Sequence, residues 1–449
     1  MNEPATANDT IVAVATPPGR GGIGVIRLSG QSAENIAARM LGRLPQPRVA
    51  TFSEFLGPSG EQIDAGLALY FPAPASFTGE TVIELHGHGG PTVMAMLVDA
   101  AIELGARRAE PGEFSRRAFL NDKLDLAQAE AIADLVASGT EQAARAALRS
   151  LSGAFSAAVN ALSDELTALR TYVEAAIDFP EEEIDFLADG ELAGRLDECA
   201  EAFATLLASA SIGRVLRDGY QVVIVGKPNA GKSSLMNRLS GEDTAIVTEV
   251  AGTTRDALRE RINIDGLAVE LVDTAGLRND PDRIEAEGIR RARVAIANAD
   301  AVLWIQDATG KADETIDEKL PAGIPVTIVR NKIDLSGDPA GIEGGDQPLV
   351  SLSAKTGEGL DALRERIRDL AGFRDLGEGA FTARQRHVEA LKEAGQHFAA
   401  GRDALRDARA GELLAEELRL AQQSLGAITG AISSDELLGR IFSEFCIGK

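Results

Sequence analysis

Residues 221–234 read QVVIVGKPNAGKSS: a β-branched run ending in glycine, a turn rich in glycine and small residues, and then the helical pattern SLMNRLSG. Strand, loop and helix in that order are what G-x-x-x-x-G-K-[ST] requires, and Gly226–Ser233 satisfies it. In such a loop the glycines let backbone N–H groups wrap phosphates, so Asn229, Ala230, Gly231 and Ser234 join the site. Lys232 reaches the β and γ oxygens, and the Ser233 hydroxyl ligates magnesium. Downstream, AVELVDTAG, AVLWIQDAT, PVTIVRNKID and PLVSLSAK alternate with helical stretches, the mark of a mostly parallel sheet.

Three of those runs end in polar motifs. In DTAG, Asp273 ends a strand where a carboxylate can hold the magnesium shell, and Thr274, Ala275 and Gly276 follow, with the Gly276 N–H able to sense a γ-phosphate. In NKID (Asn331–Asp334), the Asp334 carboxylate can accept both the N1–H and the exocyclic amine of guanine. Adenine offers no such pair, and the Lys332 stem can lie over the ring. In SAK, a backbone N–H of Ser353, Ala354 or Lys355 can meet the guanine O6. Each fragment alone reads as a strand-end turn; together they predict a GTPase. Many GTPases orient the attacking water with a Gln after DxxG, but here Leu277 stands there. Glu285, Arg255 or an added cation must do that work, and Glu285 read alone is equally a solvated helix residue.

At 449 residues the chain exceeds one hydrophobic core, and its composition, 45% hydrophobic and 25% charged, is that of a globular protein. Residues 1–120 alternate short strands and helices and predict an α+β N-terminal domain. Residues 121–215 and 376–449 are rich in helical periodicity. They flank residues 216–375, which predicts a discontinuous all-α helical domain with an inserted α/β P-loop GTPase domain. The formal charge of −24 disfavours a large direct grip on nucleic acid. No apolar run approaches the roughly 18 residues of a membrane span, and no basic-then-apolar export signal is visible. Cys199 and Cys446, the two cysteines, fit a reducing compartment, so a cytoplasmic protein is expected.

Beyond these motifs, DTIVAVATPPGRGGIGVIRLSG, FTGETVIELHGHGGP, PGEFSRRAFLNDKLDLAQAEAIADL, TAIVTEVAGTTRD, DTAGLR and the closing CIGK give the chain a resemblance to the tRNA-modification GTPase family MnmE, also called TrmE. The resemblance implies a folate-binding N-terminal domain, a homodimer, and G domains that meet when GTP and potassium bind. It also implies joint action with an FAD-carrying MnmG-type partner at C5 of the wobble uridine of certain tRNAs, installing a carboxymethylaminomethyl-type group from a tetrahydrofolate carbon unit. The tRNA would be met through that complex, and no membrane is implied. By the same resemblance Asn229, Thr248, Val250 and Thr253 surround potassium, Thr254 joins Ser233 on magnesium, and Glu285 positions water through a bridging water. Arg27, Glu84, Lys123 and Lys449 match the family's folate contacts.

GRGGIG (Gly19–Gly24) formally contains the dinucleotide pattern, but it leads into the extended VIRLS instead of opening a helix. His86 and His88 in HGHGG look metal-like, although a glycine-rich turn is the better reading. At the tail, Ser433 and Glu436 are placed as a capping box ahead of an apolar stripe of Leu437, Leu438, Ile441, Phe442 and Phe445. Cys446 thus reaches a fixed place at a helix end, where it serves either chemistry or positioning. Cys199 reads as a core thiol. Two other functional classes fit the residues less well. A ribosome-assembly GTPase would be expected to carry a basic RNA-binding appendage, and in a stand-alone folate transferase nothing would link the G domain mechanically to the rest.

Overall fold

The computed structural model describes residues 9–178, 190–227, 229–242, 259–273, 297, 299–310, 323–345, 348–373, 379–432, 434–443, 445 and 448. The chain divides into two compact units, Met1–Ala133 with Gln423–Lys449, and Asp134–Gln422.

The first unit is built on strands β1 (Ile11–Val14), β2 (Gly21–Ser29), β3 (Thr51–Leu56), β4 (Gln62–Phe71), β5 (Val82–Gly89) and β6 (Arg107–Arg108). Its helices include α1 (Ala33–Leu41), α2 (Pro91–Glu103), α3 (Glu113–Leu120) and the start of α4 (Leu126–Ala137). The sheet order is β3-β4-β5-β2-β1-β6. Alternation along β2 and β5 sends Ile26, Leu28, Ile83 and Leu85 into a core closed by Ile36 and Met40 of α1 and Leu97 of α2. It leaves Arg27, Glu84 and His86 half-buried on the opposite face. GRGGIG runs into β2 and opens no helix, as its sequence context requires. His86 and His88 lie on β5 itself rather than in a turn, because the alternation of TVIELHGHG carries the strand through to Gly89.

An ionic network ties the N-terminal segment to α3. Arg117, 10% exposed, bonds Asp9, Glu80 and Glu113, and Arg107 bonds Asp9 and Glu113. Burial alone would raise the Glu113 pKa, but bonds from Arg107, the Glu110 N–H and Arg117 outweigh it and hold the carboxyl below its ordinary 4.5. A depressed folded-state pKa contributes stability that is present above pH 4.5 and lost as pH falls through the folded value. A pH titration of unfolding should therefore show the wild type losing stability below about pH 4.5 more steeply than Glu113→Gln; parallel curves would contradict it.

The second unit combines helices with a nucleotide-type sheet. Its helices are α5 (Glu141–Leu151), α6 (Ala154–Asp178), α7 (Gly190–Asp218), α8 (Lys232–Glu242), α9 (Ile333–Ser336), α10 (Leu360–Leu370), α11 (Gln385–Ala408) and most of α12 (Gly411–Thr429). Its strands are β7 (Tyr220–Gly226), β8 (Arg259–Ile264), β9 (Leu267–Asp273), β10 (Ala301–Asp307), β11 (Val326–Asn331), β12 (Gly341–Glu343) and β13 (Leu349–Leu352). The order β12-β13-β11-β10-β7-β9-β8 is parallel except at its two edges, where β8 and β12 run antiparallel. The expected core strands appear as β7, β9, β10, β11 and β13. Edge strands β8 (RERINI) and β12 (GIE), like β3 in the first unit, are too polar or too short to declare themselves.

Helix α7 carries Leu192–Asp218, which by length and composition alone is long and apolar enough to cross a membrane, contrary to the expectation that no stretch is. Its Leu, Ile and Val are spaced among Ala, Ser and charged residues, so no unbroken apolar run marks it. In this unit Leu196, Cys199, Phe203, Leu206, Val215 and Leu216 of the helix are buried. Burial, with the Glu165 charge nearby, raises the Cys199 pKa to about 12, so this thiol is an inert core group.

The Asp134 carboxylate, 5% exposed, accepts Arg217 Nε at 2.9 Å and Arg384 Nη2 at 2.8 Å. Arg217 ends the helix that feeds β7, and Arg384 caps α11, which follows the nucleotide-type sheet. Beside this clamp Phe155 stacks on Phe381 at 4.7 Å, Ser150 Oγ donates to the Thr382 carbonyl, and the Gly266 turn lies against Gln142.

The last helix, α13 (Asp435–Ser443), belongs to the first unit. The Ser434 Oγ accepts the Leu437 N–H at 3.2 Å at its start. The expected capping box of Ser433 and Glu436 rests on Ser433, which lies outside the described residues. The apolar stripe behaves as expected, with Leu438, Ile441, Phe442 and Phe445 packing on Phe119, Leu126 and Ala129.

Candidate functional site

Strand β7 stops at Gly226 and α8 opens at Lys232. Between them Asn229 (φ 66°) and Gly231 (φ 97°) take left-handed conformations, which fold the turn tightly enough to aim successive N–H groups inward. A Cβ at Gly231 would collide with Asn331 Nδ2, so glycine is needed there for close approach as well as for φ. Lys232 is buried, its Nζ donating to the Gly226 carbonyl at 2.7 Å and the Lys227 carbonyl at 2.9 Å. Ala230 is buried and Ser234 is exposed on the first turn of α8. The Ser233 hydroxyl and the buried Asp273 carboxylate approach to 3.4 Å. A hydroxyl and a carboxylate side by side are the hard oxygen donors magnesium takes, directly or through water, so these residues fit that ion.

The NKID and SAK motifs meet at one end of the sheet. Asn331 ends β11, 2% exposed; its Nδ2 donates to the Ala230 carbonyl at 3.0 Å and its Oδ1 accepts the Ala354 N–H at 2.9 Å. One amide therefore binds the phosphate loop to the SAK loop, a bracing role invisible in sequence. Lys332 is left-handed (φ 72°, ψ 36°), and Asp334 follows on the first turn of α9, its Oδ1 accepting the Ser353 hydroxyl at 2.7 Å. Ser353 is fully buried and Lys355 exposed. Lys332 Nζ donates to Asp307 Oδ2 at 2.6 Å, and this pair was missed in the sequence because a strand-end aspartate in QDAT carries no motif.

On the open face of the first unit's sheet Arg27 and Glu84 stand opposite each other in register. The guanidinium bonds Glu84 Oε1 at 2.8 Å, and the other carboxylate oxygen meets His86 Nε2 at 3.2 Å. Two rings that the sequence did not single out flank Arg27, with Phe77 at 5.6 Å and Phe114 at 5.7 Å from the guanidinium. The Lys123 stem lies near Gly79, two residues after Phe77. The tail returns here too: Gly448 (φ 96°) sits so close to the Val14 carbonyl that a Cβ would collide with it, and neighbouring Ala13 pairs with Arg27. His88 lies apart, its Nδ1 2.7 Å from the Asp64 carboxylate.

Thr248, Val250, Thr253, Thr254, Thr274, Ala275, Gly276, Glu285, Cys446 and Lys449 lie outside the described residues.

Two family models match the chain, the "GTP-binding protein TrmE N-terminus" over residues 10–123 and the "MnmE helical domain" over residues 126–446. The chain belongs to the MnmE (TrmE) family. As an MnmE-family protein it is a GTPase acting in tRNA modification, and its α+β, helical and P-loop GTPase parts are those the family combines. Solved structures similar to part of this MnmE-family chain include the G domain of the T. maritima FeoB iron transporter. That match is 23% identical, covers 34% of this chain and 98% of that one, and has a TM-score of 0.23. An Era variant of Aquifex aeolicus bound to GDP and AlF4⁻ is 26% identical over 41% of this chain and 67% of that one, with a TM-score of 0.26. A GTP-binding protein of Sulfolobus solfataricus in complex with GDP is 20% identical over 47% and 67%, with a TM-score of 0.24.

Proposed function

We propose that this MnmE-family GTPase is potassium-dependent and works as a cytoplasmic homodimer with an FAD-carrying MnmG-type partner. Together they build a carboxymethylaminomethyl-type group on C5 of the wobble uridine of certain tRNAs from a tetrahydrofolate carbon unit. The observation that carries the folate part is the Glu84 carboxylate held by Arg27, with the exposed Phe77 ring beside the guanidinium. The half-buried Glu84 carboxylate suits the N–H donors of a pterin, the exposed Phe77 ring suits its flat body, and Arg27 holds the carboxylate in place. Those side chains fit the group, and Lys123 and Lys449 would add cations. The folate, when bound, supplies the carbon, while these residues orient it.

In the nucleotide domain Ser233, with Thr254, would hold magnesium, Asp273 would support its shell, and Asn229, Thr248, Val250 and Thr253 would offer oxygens to potassium. With Leu277 unable to align water, Glu285 would take that task, and the potassium held by those oxygens would supply positive charge to offset that of the phosphates. Domain 216–375 would close on GTP, and helices from 121–215 and 376–449 would relay the closure to domain 1–120.

The test pairs two readouts. Wobble nucleosides analysed by mass spectrometry should lose their C5 group when the protein is deleted or carries Asp273→Asn, and purified protein should turn over GTP far faster in potassium than in sodium. Unchanged nucleosides remove the modification claim, and equal turnover in both salts removes the potassium claim.

A further inference from the structure

We infer that Asp307 is a positioning residue for nucleotide binding, acting through Lys332 to prepare the wall on which a purine ring rests. The inference rests on reading NKID as the base site. Asp307 ends β10 directly opposite Asn331 in register, and the Ala308 N–H donates to the Asn331 carbonyl at 2.8 Å, so the strand end and the NKID turn move as one. The carboxylate is itself fixed before it grips anything: Oδ1 accepts the Thr309 N–H at 2.9 Å and the Thr309 hydroxyl at 2.7 Å. Its Oδ2 then takes the Lys332 ammonium at 2.6 Å. The Lys332 bond first, and then the two Thr309 bonds, pull the Asp307 pKa down to about 2, so the grip is charged across the physiological range.

Stability does not account for this pair. Both side chains are about a third exposed, at 30% and 32%, where an isolated ion pair contributes little. The geometry gives it another task. Lys332 leaves the main chain from a left-handed conformation that lysine rarely adopts, and its amine is tied 25 residues away on a neighbouring strand. The four-carbon stem is thus held at both ends, two residues before Asp334, and its methylenes are the apolar surface the residue can offer. A lysine stem free in solution gives up substantial rotamer freedom when a ligand pins it. Here that ordering precedes the ligand, which strengthens binding without any contact between Asp307 and the nucleotide.

Asp307→Ala should weaken GDP binding about tenfold. The same factor should apply to inosine diphosphate, because the stem covers the ring and does not read the exocyclic amine. Magnesium tripolyphosphate, which engages the phosphate loop alone, should compete as well as it does in the wild type, a readout that general loosening of the domain would shift. Lys332→Ala, which removes the stem as well as its anchorage, should show a loss at least as large, and the double variant should bind no worse than Lys332→Ala. Wild-type GDP affinity in Asp307→Ala, a proportional loss of tripolyphosphate, or additive losses in the double variant would overturn the inference. Asp334→Asn separates the two levels. If it leaves base preference unchanged, the base-site reading falls. If it switches preference while Asp307→Ala binds normally, only the role of Asp307 falls.

Discussion

Asp334→Asn should convert the base preference from guanine to xanthine. A carboxylate accepts two N–H donors from the guanine edge, and an asparagine offers one acceptor and one donor. Guanine's exocyclic amine would then face an amide N–H, while xanthine, with an oxygen at that position, would be matched. Each hydrogen bond to a charged group is worth about 1.5–3 kcal/mol, so GDP affinity should fall roughly 1000-fold as xanthosine diphosphate gains. The site is built for the exchange: Ser353 Oγ already donates to Asp334 Oδ1 at 2.7 Å and can donate equally to an amide oxygen, leaving the NH₂ aimed at the base. Competitive titration with the two diphosphates measures it. Retained preference for GDP would mean that the edge of the base is read elsewhere.

Removing the Asp134 carboxylate should strongly destabilise the second unit. Arg217 and Arg384 converge on it, and Arg384 is only 9% exposed, so Asp134→Ala removes the acid that holds two guanidinium groups together. Breaking a buried pair in this way costs about 3–5 kcal/mol. Arg217 keeps a bond to Asp218, which places the outcome toward the lower end. Because a chain of several domains need not unfold in one step, two probes are required. Far-UV circular dichroism follows the helices. Fluorescence of Trp304, the one tryptophan, sits on β10 and follows the nucleotide domain. The dichroism midpoint should fall by about 10 °C, with a smaller shift of Trp304. Coincident, unshifted curves would show that the clamp holds nothing together.

The sequence displayed central features and concealed pairwise ones. Core strands β7, β9, β10, β11 and β13 were legible because strands buried on both faces must be continuous β-branched runs. Edge strands β3, β8 and β12 were not, since an edge tolerates Glu, Arg, Asn and Gly as easily as a loop does. The motifs were legible because their spacing is local. Asp134, 83 residues from Arg217 and 250 from Arg384, was not, and neither was Phe77, whose value lies in its distance to Arg27. The tail shows the finest scale of the difficulty. SSDE offers two serines, and only the structure shows that the Ser434 Oγ accepts the Leu437 N–H at the start of α13. Asn331 was foreseen as part of the base motif, yet its amide serves as a strut between two loops, a task that no motif spelling records.

The convergence of Arg217 and Arg384 on a single acid has an architectural meaning. The polypeptide crosses into the nucleotide module and comes back out through one narrow doorway, its two jambs pinned to the same post. Ala146 and Val215 of the flanking helices share one buried core with the strands of that module, so door and room were framed together and the module is no detachable cassette.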